Sequence, residues 1–238
     1  LPHVLARIDA ERAAAKLLAA LPDEPDGMVR YRTILALQAL RLRRPEIVLD
    51  TDQLDLSIRA TVSRAYRYLD RRLVLERGAR DRPERATPGH ALLVGLLRDK
   101  EQHAVSRLLR ILSLRHPRQP FDDIQRSLAS PQRDTRARAV ELVSGILRSP
   151  VREAVVGLVE DMDDGVRLEA AGTFHRALAS SYEGLLESLL TTSTSQIVRD
   201  VSAYHVGEIG LLGCRDALEQ VHARGLGSPD VDRALVVL

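Results

Sequence analysis

The sequence predicts an all-α protein: an α-solenoid of antiparallel helix pairs with a longer helical hairpin in the middle. Aromatic residues are only 3% of the 238 residues and Trp is absent, whereas Leu, Ala, Val and Arg are abundant, a composition typical of packed helices. Apolar residues at helical spacing recur every 31–33 residues in the second half of the chain. A repeat of this length indicates helix pairs that bury their apolar faces against neighbours, so 1–238 is predicted to be one helical repeat domain.

Two segments with helical periodicity open the chain, residues 3–20 and 27–43. The sequence "LPDEPDG" between them contains two prolines and a glycine, which are residues that end one helix and begin another. Residues 1–45 are therefore predicted to form an opening helix pair.

A long helical hairpin is predicted for residues 53–115. Residues 53–80 keep helical periodicity for about seven turns, and residues 90–115 behave in the same way. The segment "DRPERATPG" at 81–89 is charged, has two prolines and shows no apolar period. We expect it to be an exposed, mobile loop between two antiparallel helices.

Residues 120–238 are predicted to form helical repeats of 31–33 residues. An arginine occupies the same place in three copies, just inside a predicted helix start, and an aspartate lies close by in two of them. This arrangement favours Asp–Arg bonds between adjacent repeats; a basic ladder for phosphate is the alternative. The residues assigned this structural role are Asp134, Arg136, Asp164, Arg167 and Arg199.

The phrases "VRYRTILALQALR", "RLLRILSLRHP" and "RARAVELVSGIL" resemble HEAT repeats, so the repeats of 120–238 are expected to be HEAT-like. More narrowly, residues 25–212 resemble the HEAT-repeat region that follows the transporter helices in some bacterial ATP/ADP-translocase-like proteins. That resemblance implies a domain attached to a membrane transporter, with nucleotide exchange confined to transmembrane segments outside this sequence. The C-terminal copies also resemble the short HEAT units of phycobilin lyases and of deoxyhypusine hydroxylase. The latter enzyme binds its metals with His-Glu dipeptides, and this sequence has none.

The stretch "QIVRDVSAYHVGEIG" contains a pair of residues with the spacing of a helical metal site. His205 and Glu208 are three residues apart, as in helical di-metal proteins. On a helical wheel His205 lies at the centre of an apolar stripe and Glu208 at its edge. Because His205 lies at the centre of the apolar stripe, we predict that it is a hydrogen-bonded structural residue, with a metal ligand as the alternative.

The sequence predicts no catalytic residue, cofactor or metal, and hence no enzyme. Cys214 has neither a second cysteine nor a histidine beside it, although it follows Gly213 at an apparent helix start, where a thiolate is favoured. We interpret it as a packing thiol. The sequence contains no phosphate-binding glycine loop and no Ser, His and acid grouping with an elbow motif.

Charge is distributed unevenly along the chain. Residues 1–150 contain 28 Lys and Arg against 19 Asp and Glu, whereas residues 151–238 contain 7 against 14. The basic part suggests electrostatic binding of nucleic acid or another polyanion as an alternative function. Aromatic residues are too few there to stack on bases, and several acidic residues interrupt the basic runs. Both observations favour a solvated helix face instead. The possible polyanion contacts are Arg41, Arg43, Arg44, Arg67, Arg71 and Arg72.

The favoured function is a non-catalytic protein-interaction scaffold that binds a protein or peptide partner. No apolar run approaches the ~18 residues that span a bilayer, so we expect no direct membrane insertion by this segment. The single cysteine and the absence of a signal pattern favour a cytoplasmic location. Because the chain begins at Leu1 and stops within an apolar pattern, we expect a soluble domain of a larger protein.

Overall fold

A computed structural model describes residues 10–238, which form twelve α-helices and three short 3-10 turns and contain no β-strand. The predicted all-α class is confirmed. Part of the predicted opening helix, residues 3–9, lies outside the described residues. The helices are α1 (Ala10–Ala20), α2 (Gly27–Arg43), α3 (Thr51–Asp81), α4 (Pro88–Arg115), α5 (Phe121–Leu128), α6 (Arg133–Ile146), α7 (Val151–Val159), α8 (Asp164–Glu169), α9 (Tyr182–Thr192), α10 (Gln196–Glu208), α11 (Arg215–Ala223) and α12 (Pro229–Val237).

The chain divides into two compact units. Unit 1 comprises Leu1–Arg67 and Glu101–Arg176, and unit 2 comprises Tyr68–Lys100 and Ala177–Leu238. The long helices α3 and α4 each contribute residues to both units.

Unit 1 is built from helices that are neighbours in the chain. α1 packs against α2, α5 against α6, α6 against α7, and α7 against α8. Asp26 is the N-cap of α2, because its carboxylate accepts hydrogen bonds from the backbone N–H of Met28 at 2.7 Å and of Val29 at 2.9 Å. The packing of helix pairs that the sequence predicts is therefore present in this unit.

An arginine is the fourth residue of α2, α6, α8 and α10, and its guanidinium donates hydrogen bonds to backbone carbonyls that precede its helix. Those carbonyls lie in turns or in the last turn of a helix, where they have no partner within a helix. We call this contact the arginine latch. The bonds are Arg30 Nη1 to Glu24 O (2.5 Å) and Pro25 O (2.9 Å), Arg136 Nη1 to Ser130 O (3.0 Å) and Pro131 O (2.9 Å), Arg167 Nε to Gly157 O (3.1 Å), and Arg199 Nη1 to Ser193 O.

The arginines of the latch also bond to aspartates. Arg136 Nη2 pairs with Asp161 Oδ2 at 3.1 Å rather than with Asp134, which is two residues away and on another face of α6. Arg167 Nη1 does bond to Asp164 Oδ1 at 2.6 Å, but both residues lie in the first turn of α8. The recurring partner of these arginines is the backbone.

In unit 2 the end of α3, the beginning of α4 and the helices α9 to α12 surround one aliphatic core. α9 packs against α10 and α11, and α12 packs against both α10 and α11. The core includes Val74 and Leu75 of α3 and Leu93 and Leu97 of α4, as the predicted hairpin requires. Long helices thus begin and end close to the predicted bounds 53–80 and 90–115.

The predicted loop at 81–89 is shorter and less exposed than expected. α3 extends to Asp81 and α4 begins at Pro88, with a 3-10 turn at Pro83–Arg85 between them. The first half of the connection is exposed, but Arg85 is only 8% exposed and Gly89 is buried. Both residues are held by contacts with α9 and α10, which sequence periodicity does not reveal.

Within residues 10–238, none of the helices combines the length and the apolar character needed to cross a membrane.

Candidate functional site

The most concentrated group of buried polar side chains in unit 2 lies where the start of α4 meets α9 and α10. We call it the His205 cluster and define it as Thr87, His90, Tyr182, His205 and Glu208. Thr87 and His90 are placed by the turn into α4, Tyr182 is the first residue of α9, and His205 and Glu208 lie in the last turn of α10. The cluster therefore joins three segments of the chain.

His205 is fully buried and uses both ring nitrogens. Its Nε2 lies 2.5 Å from Tyr182 Oη, and its Nδ1 lies 3.0 Å from Thr87 Oγ1. Nδ1 also lies 3.5 Å from Glu208 Oε2, and a carboxylate can only accept. The ring proton is therefore assigned to Nδ1, and Nε2 accepts from the Tyr182 hydroxyl.

Tyr182 receives two further contacts. His90 Nδ1 lies 3.4 Å from Tyr182 Oη, and the guanidinium carbon of Arg85 lies 4.2 Å from the centre of the tyrosine ring. Arg85 Nη2 in turn bonds to Glu183 Oε1 at 2.6 Å. The tyrosine is thus fixed both by its hydroxyl group and by its aromatic face.

Glu208 anchors α10 to the turn before α4. Its Oε2 accepts a hydrogen bond from the backbone N–H of Gly89 at 3.0 Å and lies 3.5 Å from His205 Nδ1. A Cβ atom at Gly89 would lie only 2.6 Å from that same oxygen, so a glycine is required for this approach. Glu208 is the last residue of α10 and is exposed as a whole, but its side chain is only 20% exposed. The side chain lies at the edge of the apolar stripe, as predicted, and in addition bonds to the turn before α4.

Burial sets the protonation of the cluster. It lowers the pKa of His205 and of His90, and it raises the pKa of Tyr182 to about 12. The pKa of Glu208 is lowered, because hydrogen bonds from Thr87, Gly89 and His205 outweigh the effect of its burial. At neutral pH the two histidines and the tyrosine are therefore neutral, and Glu208 is ionised.

These groups satisfy one another's hydrogen bonds inside the unit. A catalytic acid or base needs access to a substrate and a pKa near the working pH. His205 is 0% exposed, Tyr182 5% and His90 9%. The arrangement has the chemistry of a structural network that holds α4, α9 and α10 together. Among residues 10–238, no three His, Cys, Asp or Glu side chains converge in a way that could hold a metal ion.

No family model matches the chain. No curated protein and no solved structure matches it either. The resemblance to HEAT repeats therefore stays a prediction from the sequence.

Unit 1 has its own buried polar group around Arg167, whose side chain is 15% exposed. Besides the latch carbonyls, Arg167 bonds to Glu101 Oε1 at 2.5 Å, and the Glu101 side chain is only 5% exposed. Tyr66 lies alongside, fully buried, with its hydroxyl donating to Ala154 O at 2.7 Å, and burial raises its pKa. The position predicted to bind a neighbouring repeat is therefore linked to α4 through an ion pair with Glu101.

The six arginines considered for polyanion contacts do not form one exposed set. Arg43, Arg44 and Arg67 are exposed, whereas Arg41 is half-buried and donates to the backbone carbonyl of Leu114. Arg72 was interpreted either as a polyanion contact or as part of a solvated helix face, and both interpretations are wrong for it. Its side chain is only 4% exposed and pairs with Glu76 at 3.0 Å. Arg71, the residue before it, is half-buried.

Acidification is expected to destabilise unit 2. Folding lowers the pKa values of His90 and His205. Below pH ~6.5, which is the ordinary pKa of histidine, the unfolded chain therefore binds more protons than the folded chain. Their contribution to stability is complete above about pH 6.5 and is lost as the pH falls below it, by up to about 1.4 kcal/mol per pH unit for each histidine. The charges near the rings are Arg85, which opposes ring protonation, and Glu208 and Glu76, which favour it.

The measurement is the urea unfolding free energy between about pH 5 and pH 8. His205→Gln should reduce the slope of stability against pH, because one of the two buried rings is gone. An identical slope in wild type and His205→Gln would show that His205 does not cause it.

Cys214 is expected to be almost unreactive in the folded protein. It is 0% exposed and its Sγ lies 4.0 Å from the backbone carbonyl of Glu183. Burial, with Glu187 and Glu183 nearby, raises its pKa to about 12. At pH ~8 the thiolate fraction is then roughly a thousandfold below that of a free thiol, so a disulfide reagent such as DTNB should label it only after unfolding. Rapid labelling of the native protein would contradict this burial.

Proposed function

We propose that the chain is a non-catalytic protein-interaction domain, an α-solenoid of HEAT-like helix pairs whose repeated helices present a surface to a protein partner. Two features support the repeat architecture. The arginine latch recurs at the fourth residue of α2, α6, α8 and α10, and in unit 1 the helices of the C-terminal repeats pack in chain order. A recurring contact of this kind is expected where each repeat docks on the one before.

One observation carries the proposed function: three of the four helices with an arginine latch expose an aliphatic side chain one or two residues before the arginine. Met28 and Val29 of α2 are 57% and 40% exposed, Val166 of α8 is 52% exposed, and Ile197 of α10 is 55% exposed. Isolated exposed aliphatics are ordinary, but their return in the first turn of three latch helices is not. The exposed position is one residue before the arginine in α8 and two before it in α10, where Val198 is buried. Aliphatic side chains exposed in the first turn of several repeat helices are typical of surfaces that a partner covers.

The buried polar groups support the same conclusion. The His205 cluster and the Arg167 group are bonded internally, which suits positions that fix helices rather than positions that bind substrate. We do not propose the nucleic-acid alternative, because Arg72 and Arg41 are engaged inside their units.

The test uses the full chain immobilised as bait in an extract of its own source cells. The double variant Val166→Ser with Ile197→Ser removes aliphatic side chains at the latch positions. The control, Leu42→Ser with Val48→Ser, makes the same chemical change at residues that are 84% and 91% exposed but outside those positions. We expect a protein that wild type and control retain and that the latch-position variant loses. Equal retention by the two variants, or no protein retained by the wild type, would contradict the proposed function.

A further inference from the structure

α10 and α12 of unit 2 enclose a groove of about 200 Å³. Its floor is made of small residues, Ala203 and Gly207 of α10 and Ala234 of α12, and its walls are Tyr204 and Val237. The helices approach closely here, since a Cβ atom at Gly207 would lie 3.1 Å from Ala234 Cα. Tyr204 is 38% exposed and Val237 is 61% exposed, so the walls are open to solvent.

The size of the groove indicates what can occupy it. Sites for small molecules and cofactors usually have volumes of ~300–1,000 Å³ and close over most of the ligand. A groove of about 200 Å³ between two helices suits one or two aliphatic side chains better. Grooves of this kind receive the apolar face of a helix, whose anchors are spaced i, i+3, i+4 and i+7.

The charges around the groove indicate the sign of the occupant. α10 and α12 together carry four carboxylates and two arginines. Arg199 is 6% exposed and its latch is made to the Ser193 carbonyl. Arg233 is exposed and lines the groove, and its Nη1 lies 3.7 Å from Asp230 Oδ1, so it offsets one carboxylate. The carboxylates are Asp200, Glu208, Asp230 and Asp232, of which Glu208 is bonded inside unit 2, so three outward carboxylates face one arginine. A basic partner complements this surface, whereas two copies of the chain in a two-fold contact would bring the same acidic residues together.

We propose that this groove binds an amphipathic helix of a partner protein, which inserts an aliphatic side chain between Tyr204 and Val237 and carries Lys or Arg beside it. This inference rests on the proposed function, because it names the chemistry of one partner surface. The basic side chains of the partner helix lie against Asp230 and the neighbouring carboxylates, and its aliphatic side chain displaces water from the floor of the groove.

The experiment measures fluorescence anisotropy of a labelled helical peptide of about 16 residues, with Leu at i, i+3, i+4 and i+7 and Arg at the flanking positions. A second peptide carries Glu in place of each Arg. The full chain should bind the Arg peptide saturably and the Glu peptide at least about tenfold more weakly, and binding should weaken as salt rises from about 50 to 500 mM.

Matched variants locate the binding surface. Val237→Ser should weaken binding of the Arg peptide about fivefold or more, whereas Val236→Ser, at the adjacent residue that is 87% exposed and outside the groove, should not. Asp230→Asn should weaken it, and Asp216→Asn, at an exposed residue of α11, should not. Thermal melts of the four variants should coincide with the wild type, which excludes unfolding as the cause.

Three results would overturn the inference. One is no saturable binding of the Arg peptide, and another is equal binding of the two peptides. The last is an equal effect of the two valine variants. Sedimentation of the chain without peptide measures whether it forms a dimer. A dimer that Val237→Ser abolishes would assign the groove to a second copy of the chain. A partner whose capture depends on Val166 and Ile197 but not on Val237 would refute the groove and leave the proposed function standing.

Discussion

His205→Ala is expected to lower the free energy of unfolding by about 2–5 kcal/mol. The imidazole is fully buried, with Tyr182 Oη at 2.5 Å and Thr87 Oγ1 at 3.0 Å. Truncation leaves both hydroxyls without that partner and opens a cavity among α4, α9 and α10, and each effect alone is costly in a packed interior. Urea unfolding followed by far-ultraviolet circular dichroism measures the loss.

The matched control for this variant is His222→Ala. His222 has a side chain that is 63% exposed and pairs with Asp232 at 3.0 Å, an exposed contact worth at most about 1 kcal/mol. Tyr182→Phe should lie between the two, because it removes one hydrogen bond from His205 and keeps the ring against Arg85. In a double-mutant cycle the Tyr182 and His205 changes should be clearly less than additive. Equal stability of the His205→Ala and His222→Ala proteins would refute the structural role of His205.

Gly78→Ala is expected to destabilise the protein by about 1–3 kcal/mol, although alanine is the better helix former. A Cβ atom at this position of α3 would lie 2.2 Å from Cδ2 and 2.9 Å from Cγ of Tyr182. The tyrosine cannot move away without losing its bond to His205 and its contact with Arg85. Overpacking should therefore outweigh the gain in helix propensity.

Gly95→Ala is the control, since Gly95 lies within α4 and a Cβ atom there would meet nothing within 4 Å. It should stabilise the protein by about 0.5–1 kcal/mol, the ordinary difference between glycine and alanine in a helix. Opposite signs for the two glycine variants are the expected result of thermal or urea unfolding. A stabilising Gly78→Ala would show that Tyr182 is not fixed against α3.

Helix periodicity was sufficient to predict most of the secondary structure. The two long helices begin and end within a few residues of their predicted bounds, because a single apolar period runs through each of them. The connection between them was predicted less well. Its charges and prolines indicate exposure, but Arg85 and Gly89 are buried by contacts with residues about a hundred positions away, and no local pattern contains that information.

The candidate site was also predicted only in part. The position of His205 in the middle of an apolar stripe correctly indicated that it is buried. Its partners Thr87 and Tyr182 were not predicted, since Thr87 lies in the segment expected to be an exposed loop and Tyr182 reads as an ordinary helix start. A Thr-Pro-Gly-His sequence next to a helix start was the one local signal available, because Gly89 leaves room for the Glu208 carboxylate.

The arginines of the repeats were found for a reason that was partly wrong. Their recurrence correctly marked equivalent helix positions, but of the two acidic residues nearby in the sequence only Asp164 is a partner, whereas Arg136 pairs with Asp161 and not with Asp134. Residue types along a sequence do not show that an arginine bonds to backbone carbonyls of the preceding turn, although every helix end leaves such groups unpaired. A charged residue at the start of a repeat helix is thus as well explained by the backbone before it as by an acidic neighbour.

The structural role of the His205 cluster is tested most directly by nitrogen-15 NMR of the histidine rings at pH ~7. The hydrogen bonds predict a neutral His205 ring with its proton on Nδ1 and none on Nε2, since Nδ1 donates to Thr87 and Nε2 accepts from Tyr182. The spectrum should not change when a chelator or one equivalent of zinc is added. A ring that is protonated at pH ~7, or whose Nε2 signal moves with zinc, would contradict the structural role and restore a metal or proton-transfer function.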